Sequence, residues 1–327
     1  MTDRPTSPPS QSAFSPSQAA PQNSALQLSQ HLAALVAATA RSVVAVHGGG
    51  RRPSSGTIWH PGLVVCADET VTRDEDIWIV LPNGQRLAAT LAGRDPTTDV
   101  AVLRYTDGTA PADAAPADTP STSASLSTAP FAVDLAAGHL ALAVGRADGE
   151  TVAAHGIVAL AGPAWRSSQG GLIDARLRID INLPRTAEGG ALVAMDGGLI
   201  GMAVFGPRRS VLAIPAATIA RTVRSIKDKG HVARGYLGVS LQRVPVASDG
   251  EQPRPAAMVV TVDPAGPAKT AGIVQGDIIV AFGGTAVTGL RSLYQQLGPD
   301  AVGERKAVNL IRAGAPVTVE VTIGSRP

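Results

Sequence analysis

The stretch that most constrains what this chain can fold into runs from Asp180 to Gly201. It reads Asp180-Ile181-Asn182-Leu183-Pro184-Arg185-Thr186-Ala187-Glu188-Gly189-Gly190-Ala191-Leu192 and continues as Val193-Ala194-Met195-Asp196-Gly197-Gly198-Leu199-Ile200-Gly201. The first part is a loop. The second is an apolar run, a Gly-rich break and another apolar run, which reads as strand, turn, strand. Similar short runs recur along most of the chain, and few segments have helical spacing. Hydrophobic residues make up 44% of the sequence but aromatics only 3%, so the cores are built from Val, Ile, Leu and Ala.

Several classes of function are disfavoured by the totals. At 327 residues the chain is longer than one ordinary domain. A formal charge of +2 gives no electrostatic case for nucleic acid. The basic run Arg221, Arg224, Lys227, Lys229 and Arg234 is spaced like the outer, solvated face of a helix. A single cysteine, Cys66, cannot form an internal disulfide. It sits at the end of an apolar run and reads as a small core residue. The segment from Leu32 to Val46 is apolar, but it is too short to span a bilayer and Arg41 interrupts it. No apolar leader is visible in the Pro-, Ser- and Gln-rich first 24 residues. The chain as given therefore reads as cytoplasmic.

Taken in order, residues 1–24 read as a disordered tail and Ser24–Ala40 as a helix, with Leu26, Leu28, Leu32, Leu35 and Val36 apolar. Arg41–Val46 alternates like a strand. Ser55–Ile58 and Gly62–Val65 form a hairpin, followed by Cys66-Ala67-Asp68-Glu69-Thr70-Val71. Further strands are Ile77–Leu81, Leu140–Gly145, Val152–Leu160 and Val211–Pro215, and Ala216–Lys229 is a helix that ends at Gly230. These segments resemble the HtrA/Deg family of trypsin-like serine proteases. The family has Asp, then Pro-Gly-Asn-Ser-Gly-Gly-Pro-Leu, where this chain has Asp180 and Arg185–Leu192. It has Thr-Asn-Ala-His-Val-Val where this chain has Cys66–Val71, and Gly-x-Asp-x-x-Thr-Asp-Leu-Ala-Val-Leu where this chain has Gly93–Leu103. All three stretches align without a gap.

The resemblance implies a mainly β protein: a trypsin-like double β-barrel followed by an HtrA-type PDZ domain. It places the protease-fold domain at 25–232, with a low-complexity inter-barrel loop at 106–129, and the PDZ domain at 233–327. It also assigns the triad positions. Asp99 stands where the family has its catalytic Asp, Glu69 where it has His, Glu188 where it has the nucleophilic Ser, and Thr186 where it has the Gly that lends a backbone N–H to the oxyanion. Acyl transfer in such a site needs a hydroxyl to attack, an imidazole to move its proton and donors for the oxyanion. With Glu at both the nucleophile and the base position, the resemblance implies a pseudoprotease. His31, His47, His60, His139, His155 and His231 show no spacing that supplies a substitute imidazole. In this fold the three acids Glu69, Asp99 and Glu188 are expected either to meet as a cluster or to point apart into solvent as an inert remnant. Close carboxylates raise one another's pKa, so a shared proton, a pairing with Arg185 or a hard metal ion are the ways to hold them together.

The segment from Arg234-Gly235-Tyr236-Leu237-Gly238-Val239 to the end resembles the PDZ domain of the same family. The strand Val259–Val262, the short helix around Pro264–Ile273, the strands within Gly276–Val287, a helix Leu290–Leu297 and a last hairpin Ala307–Ile323 follow in order. A PDZ groove adds an extended peptide as a strand and holds its terminal carboxylate on loop N–H groups. The resemblance gives Tyr236, Leu237, Gly238 and Val239 to that loop, and Ile273 and Leu293 to the wall of the pocket. The partners expected are peptides or protein C-termini, with a quality-control or scaffold role, no cofactor, and a homotrimer as the family's habit. Two other readings stand beside this one: an active HtrA-type serine endopeptidase with a rearranged site, and a carboxylate cluster that binds a metal. The resemblance also gives the periplasm as the alternative to a cytoplasmic location.

Overall fold

The computed structural model describes residues 21–106, 135–248 and 251–326. Residues 1–20 of the expected tail and almost all of the inter-barrel loop lie outside these, while residues 21–24, read as tail from the sequence, belong to the first helix. A helix α1 (Pro21–Ala40) leads into the first six strands, β1 (Val43–His47), β2 (Ser54–His60), β3 (Leu63–Cys66), β4 (Ile77–Val80), β5 (Arg86–Asp95) and β6 (Val100–Tyr105). They close into a barrel in the order β1-β2-β3-β6-β5-β4. Val43 to Val46 are all buried, since the first strand lies between the barrel interior and its neighbours. Val44, Val46, Val64, Ile79, Ala101 and Leu103 fill one of the clusters at its centre.

The second barrel is built from β7 (Leu140–Ala147), β8 (Glu150–Gly162), β11 (Arg176–Asp180), β12 (Ala191–Ala194), β13 (Leu199–Phe205) and β14 (Val211–Pro215), with a small hairpin β9 (Trp165–Arg166) and β10 (Leu172–Ile173) set between. It closes in the order β11-β14-β13-β12-β7-β8. Arg176-Leu177-Arg178-Ile179-Asp180 shows the period-two rule directly: Leu177 and Ile179 point inward and the other three outward. α2 (Ala216–Lys229) then packs Ile219, Val223 and Ile226 against the barrels and ends on a left-handed Gly230. The basic residues Arg221, Arg224, Lys227 and Lys229 stay on its solvent face.

Arg146 of β7 ties these pieces together. Its side chain is buried, and its guanidinium donates to the carbonyls of Val43 at 2.7 Å, Ala40 at 2.8 Å and Gly149 at 3.0 Å. One cation thus caps the last turn of α1, where carbonyls lack helical partners, and fixes it to both barrels.

The last part contains β15 (Arg234–Tyr236), β16 (Val239–Ser248), β17 (Glu251–Val262), α3 (Pro267–Thr270), β18 (Ile278–Phe282), β19 (Thr285–Ala286), α4 (Leu290–Tyr294), β20 (Arg305–Arg312), β21 (Ala315–Thr322) and β22 (Gly324–Arg326). Its main sheet runs β16-β17-β18-β20-β21, and β15 pairs with β22. The mainly β architecture with two closed barrels and a PDZ domain is the one the sequence predicts. Three elements differ from the expectation. β16 and β17 form a long hairpin, in register from Val239↔Val262 to Ser248↔Glu251, although only Val259–Val262 reads as strand in the sequence. β5 spans ten residues that the sequence reading leaves without a strand. The helix expected over Leu290–Leu297 stops at Tyr294, and Gln296 and Leu297 close instead onto Leu293 and Tyr294 in three-residue turns. Among the described residues no helix is long and apolar enough to cross a membrane.

Candidate functional site: a carboxyl pair and a neighbouring groove

Each of the three expected acids is delivered by a different turn. Asp99 lies in the connection from β5 to β6 with a positive φ of 57°. That turn is wound by Asp95, whose buried carboxylate accepts from Thr97 N at 3.0 Å, Thr97 Oγ1 at 2.5 Å and Thr98 Oγ1 at 2.7 Å. Glu69 sits in a 3₁₀ turn, Asp68–Thr70, that follows β3. Its backbone N–H donates to Asp99 Oδ1 at 2.9 Å, and the N–H of Asp68 donates to the Asp99 carbonyl at 3.3 Å. Glu188 follows a second 3₁₀ turn, Arg185–Ala187, just ahead of β12.

The structure brings the three together. Glu188 Oε1 accepts from Phe205 N at 3.2 Å, and the Glu69 side chain stands close enough to act on the Glu188 carboxyl. Two neighbouring carboxyls disfavour being ionised together. Burial first, and then the neighbouring Glu69 and the charge of Asp99, push the Glu188 carboxyl up to about 7. Asp99 is likewise pushed up to about 7, chiefly by burial; the N–H of Glu69 works against this. Arg185 is exposed, and among the described residues it forms no ion pair with these acids. No group of three His, Cys, Asp or Glu side chains among the described residues is placed to hold a metal ion. The backbone N–H groups of Glu69 and Phe205 brace the cluster.

The loop that carries Thr186 turns its N–H groups back on itself. An oxyanion hole needs the N–H at the nucleophile position to face the cleft. Here the N–H of Glu188 donates back to the Arg185 carbonyl at 3.3 Å, and Ala187 N donates to the Pro184 carbonyl at 2.9 Å. The Thr186 carbonyl is pinned by Ser55 Oγ at 2.6 Å. Thr186 is not among the residues with positive φ, so this β-branched residue takes an ordinary helical turn that it accepts without strain. Gly189 supplies the conformational freedom instead. It has φ of 81°, and a Cβ there would meet the Ser55 carbonyl at 2.3 Å.

Cys66 is fully buried beside this site, and burial pushes its thiol far up, so it is an inert core residue. His155 is exposed on β8. His47, at the end of β1, stacks on Trp78 and pairs with Asp148 at 3.1 Å. The cleft itself is a pocket of about 250 Å³ bordered by Glu69 and Asp99, with Trp165, Ile173, Leu212 and Ile214 among its apolar walls.

A second groove, of about 350 Å³, opens beside it. Tyr236, Leu237, Gly238, Val239 and Leu293 line it, as the sequence predicts for a peptide site. Gly238 has φ of 78°, and a Cβ would meet Gly266 Cα at 2.9 Å. Ile273 does not line this groove. It is almost fully buried in the core with Phe282 and Leu310, because its N–H closes onto the Ala268 carbonyl and turns the side chain inward. Leu241 and Leu297 provide apolar wall instead. Leu297 sits beyond the end of α4, so its role depends on the turn that follows the helix. Ser168 and Gln169, from the β9–β10 turn, border both the cleft and the groove. That turn is held to the PDZ part by Arg166, whose Nη1 donates to Asp300 Oδ1 at 2.9 Å, and by Gln295 Nε2, which donates to the Ser167 carbonyl at 3.4 Å.

Residues 54–202 match the family of trypsin-like peptidase domains, and residues 235–323 match the PDZ domain. The chain is 30% identical over 278 residues to a probable periplasmic serine endoprotease, DegP-like, of Bartonella henselae; the match covers 81% of this chain and 52% of that protein. This chain thus spans about half the length of the curated relatives it matches. The crystal structure of the serine endoprotease from Yersinia pestis is 25% identical, with a TM-score of 0.63 over 90% of this chain and 98% of that one. The HtrA-type protease AlgW, solved with a decapeptide, is 22% identical, with a TM-score of 0.64 over 90% of this chain and 99% of that one, and shares the fold. The expectation of a cytoplasmic chain is corrected by these matches: curated relatives are named as periplasmic and point to the periplasm. The cytoplasmic reading leaned on a missing leader, and the start of a sequence is a weak guide to location.

Proposed function

We propose that this chain, an HtrA/DegP-family trypsin-like protease domain followed by a PDZ domain, captures peptide or protein C-termini in its PDZ groove and does not cleave them. The observation that carries the reading is that Glu188 and Glu69 stand side by side at the positions that need a hydroxyl and an imidazole. Losing nucleophile and base together leaves only the residual effect of binding. The inward-turned N–H of Glu188 supports the same conclusion, since it withdraws an oxyanion donor. A solved relative of the same fold holds a decapeptide, which supports peptide capture here. A role in periplasmic protein quality control, as a holding or scaffold protein and as a homotrimer, follows from the family.

A second reading is favoured by the names of the relatives, which are serine endoproteases. It requires another serine to act, and Ser167 and Ser168 border the cleft. Ser167 Oγ, however, accepts from the N–H groups of Gln169 at 3.1 Å and Gly171 at 3.2 Å, which serves the turn rather than a base. Fluorophosphonate labelling and casein digestion of the purified chain separate the two readings. No labelling and no cleavage are expected. Stoichiometric labelling of any serine at the cleft overturns the capture-only reading. In the same assays the triple variant Glu69→His, Thr186→Gly, Glu188→Ser is expected to gain measurable labelling.

A further inference from the structure

The PDZ groove carries a charge pattern that peptide capture alone does not use. Arg234 and Arg326 both line it, brought opposite each other by the antiparallel pairing of β15 with β22. No acidic side chain is among the residues that line the groove. Neither guanidinium lies within ion-pairing distance of a carboxylate among the described residues. The nearest acids are engaged elsewhere. Asp263 accepts from Tyr236 Oη at 2.7 Å and from Ala265 N at 3.0 Å, and Asp68 faces Arg94 at 3.4 Å. Arg326 instead leans over the Tyr236 ring, 5.7 Å from its centroid. Tyr236 opens the loop whose N–H groups would take a terminal carboxylate.

One terminal carboxylate needs one cation at most, and two arginines stand at the same end of the groove, each outside ion-pairing distance of a carboxylate among the described residues and feeling only the longer-range charge of Asp68 (Arg234) or Asp263 (Arg326). We propose that this groove selects acidic C-terminal tails: peptides that end in an apolar residue and carry a further carboxylate side chain close to the terminus, met by Arg326 with Arg234 behind it. The inference rests on the peptide-capture reading above. The apolar last residue follows from the walls at Leu241, Leu293 and Leu297, and the acidic neighbour from charge complementarity at the rim. Arg326 is exposed, so the selectivity is modest and salt-dependent.

The test uses the full chain and fluorescence anisotropy with labelled free-acid heptapeptides that share an apolar last residue. One peptide is otherwise neutral; two others carry Glu or Lys, placed in turn at each of the three positions before the last. Binding of the neutral free acid, and its loss on C-terminal amidation, tests the capture reading by itself. At one position at least, the Glu peptide is expected to bind about five-fold tighter than the Lys peptide in low salt. Arg326→Gln should shrink that preference and Arg326→Glu should reverse it, the preference being read in each protein as the ratio of Glu-peptide to Lys-peptide affinity. Neutral binding with equal affinity for Glu and Lys peptides at every position overturns the inference and leaves capture standing. So does a preference that survives Arg326→Glu. If no free-acid peptide binds, the capture reading falls and the inference with it.

Discussion

Replacing Glu188 by Gln should stabilise the protein at alkaline pH and leave it unchanged at acid pH. The Glu188 carboxyl stands at about 7 in the fold against an ordinary 4.5. Between those values the folded chain keeps a proton that the unfolded chain has released. Stability is therefore fully present below about pH 4.5, falls as pH rises through the folded value, and is wholly lost above about 7. At ~1.4 kcal/mol per pH unit the ceiling is about 3.4 kcal/mol. Glu188 is only half-buried, and solvent screening brings the figure to roughly 1.5 kcal/mol. Gln has the shape of the protonated acid. Its amide can donate to Glu69 while its oxygen still accepts from Phe205 N, and it never ionises.

Scanning calorimetry of wild type and Glu188→Gln from pH 4.5 to 8.5 reads this directly. The two melting temperatures should coincide near pH 4.5 and diverge to a gain of about 3–6 °C for Gln by pH 8. Asp99 is also raised and is present in both proteins, so its own loss of stability largely cancels in the difference. Parallel curves across the whole range would refute a proton held on Glu188. A Gln variant less stable at pH 8 would show that the Glu188 carboxylate is held by a cation that the cluster as described does not contain.

Two other changes probe the frame and the groove. Arg146→Met should cost about 3–5 kcal/mol, because it strips two buried carbonyls, Val43 and Ala40, and the more exposed Gly149 carbonyl of one donor group, and urea unfolding should show it. Gly238→Ala should weaken binding of free-acid peptides by at least ten-fold in anisotropy. Its φ of 78° suits glycine and its Cβ would press on Gly266, while the barrels, probed by the near-ultraviolet signal of Trp59 and Trp165, should be unchanged.

The fold was legible because its signals are local. Short Val- and Ala-rich runs read as strands, Gly230 and Gly238 mark a helix stop and a loop, and the family resemblance is what assembles them into two barrels and a PDZ domain. The long β16–β17 hairpin was hidden because Pro245 and Pro255 sit inside it, facing each other in register, and Pro reads as a strand breaker. Leu290–Leu297 looked like one helix because Leu290, Leu293 and Leu297 have helical spacing. The chain turns at Gln295 instead, where packing under the β9–β10 turn outweighs weak propensity. Ile273 was misplaced for a related reason: an apolar residue just after a helix can face a groove or a core, and only the short bond to Ala268 decides it.

The same division holds within the site. That Glu69, Asp99 and Glu188 converge is what the family resemblance implies, because it maps each of them onto a triad position. Which of them bond to each other it does not say. Asp99 is occupied by the N–H of Glu69, which leaves the Glu69 side chain free to meet Glu188. The Arg185–Ala187 turn then aims Glu188 away from solvent and toward Phe205 N. Thr186 stands at a glycine position of the family, and the loop accommodates it by winding into a 3₁₀ turn with no positive φ there. That winding also consumes the N–H of Glu188. Loss of the oxyanion donor and insertion of the acid are therefore one structural event. Glu188→Ser alone should return no activity in the casein and fluorophosphonate assays, because the turn that Thr186 favours keeps the donor facing Arg185, and Thr186→Gly is the change that lets it swing back.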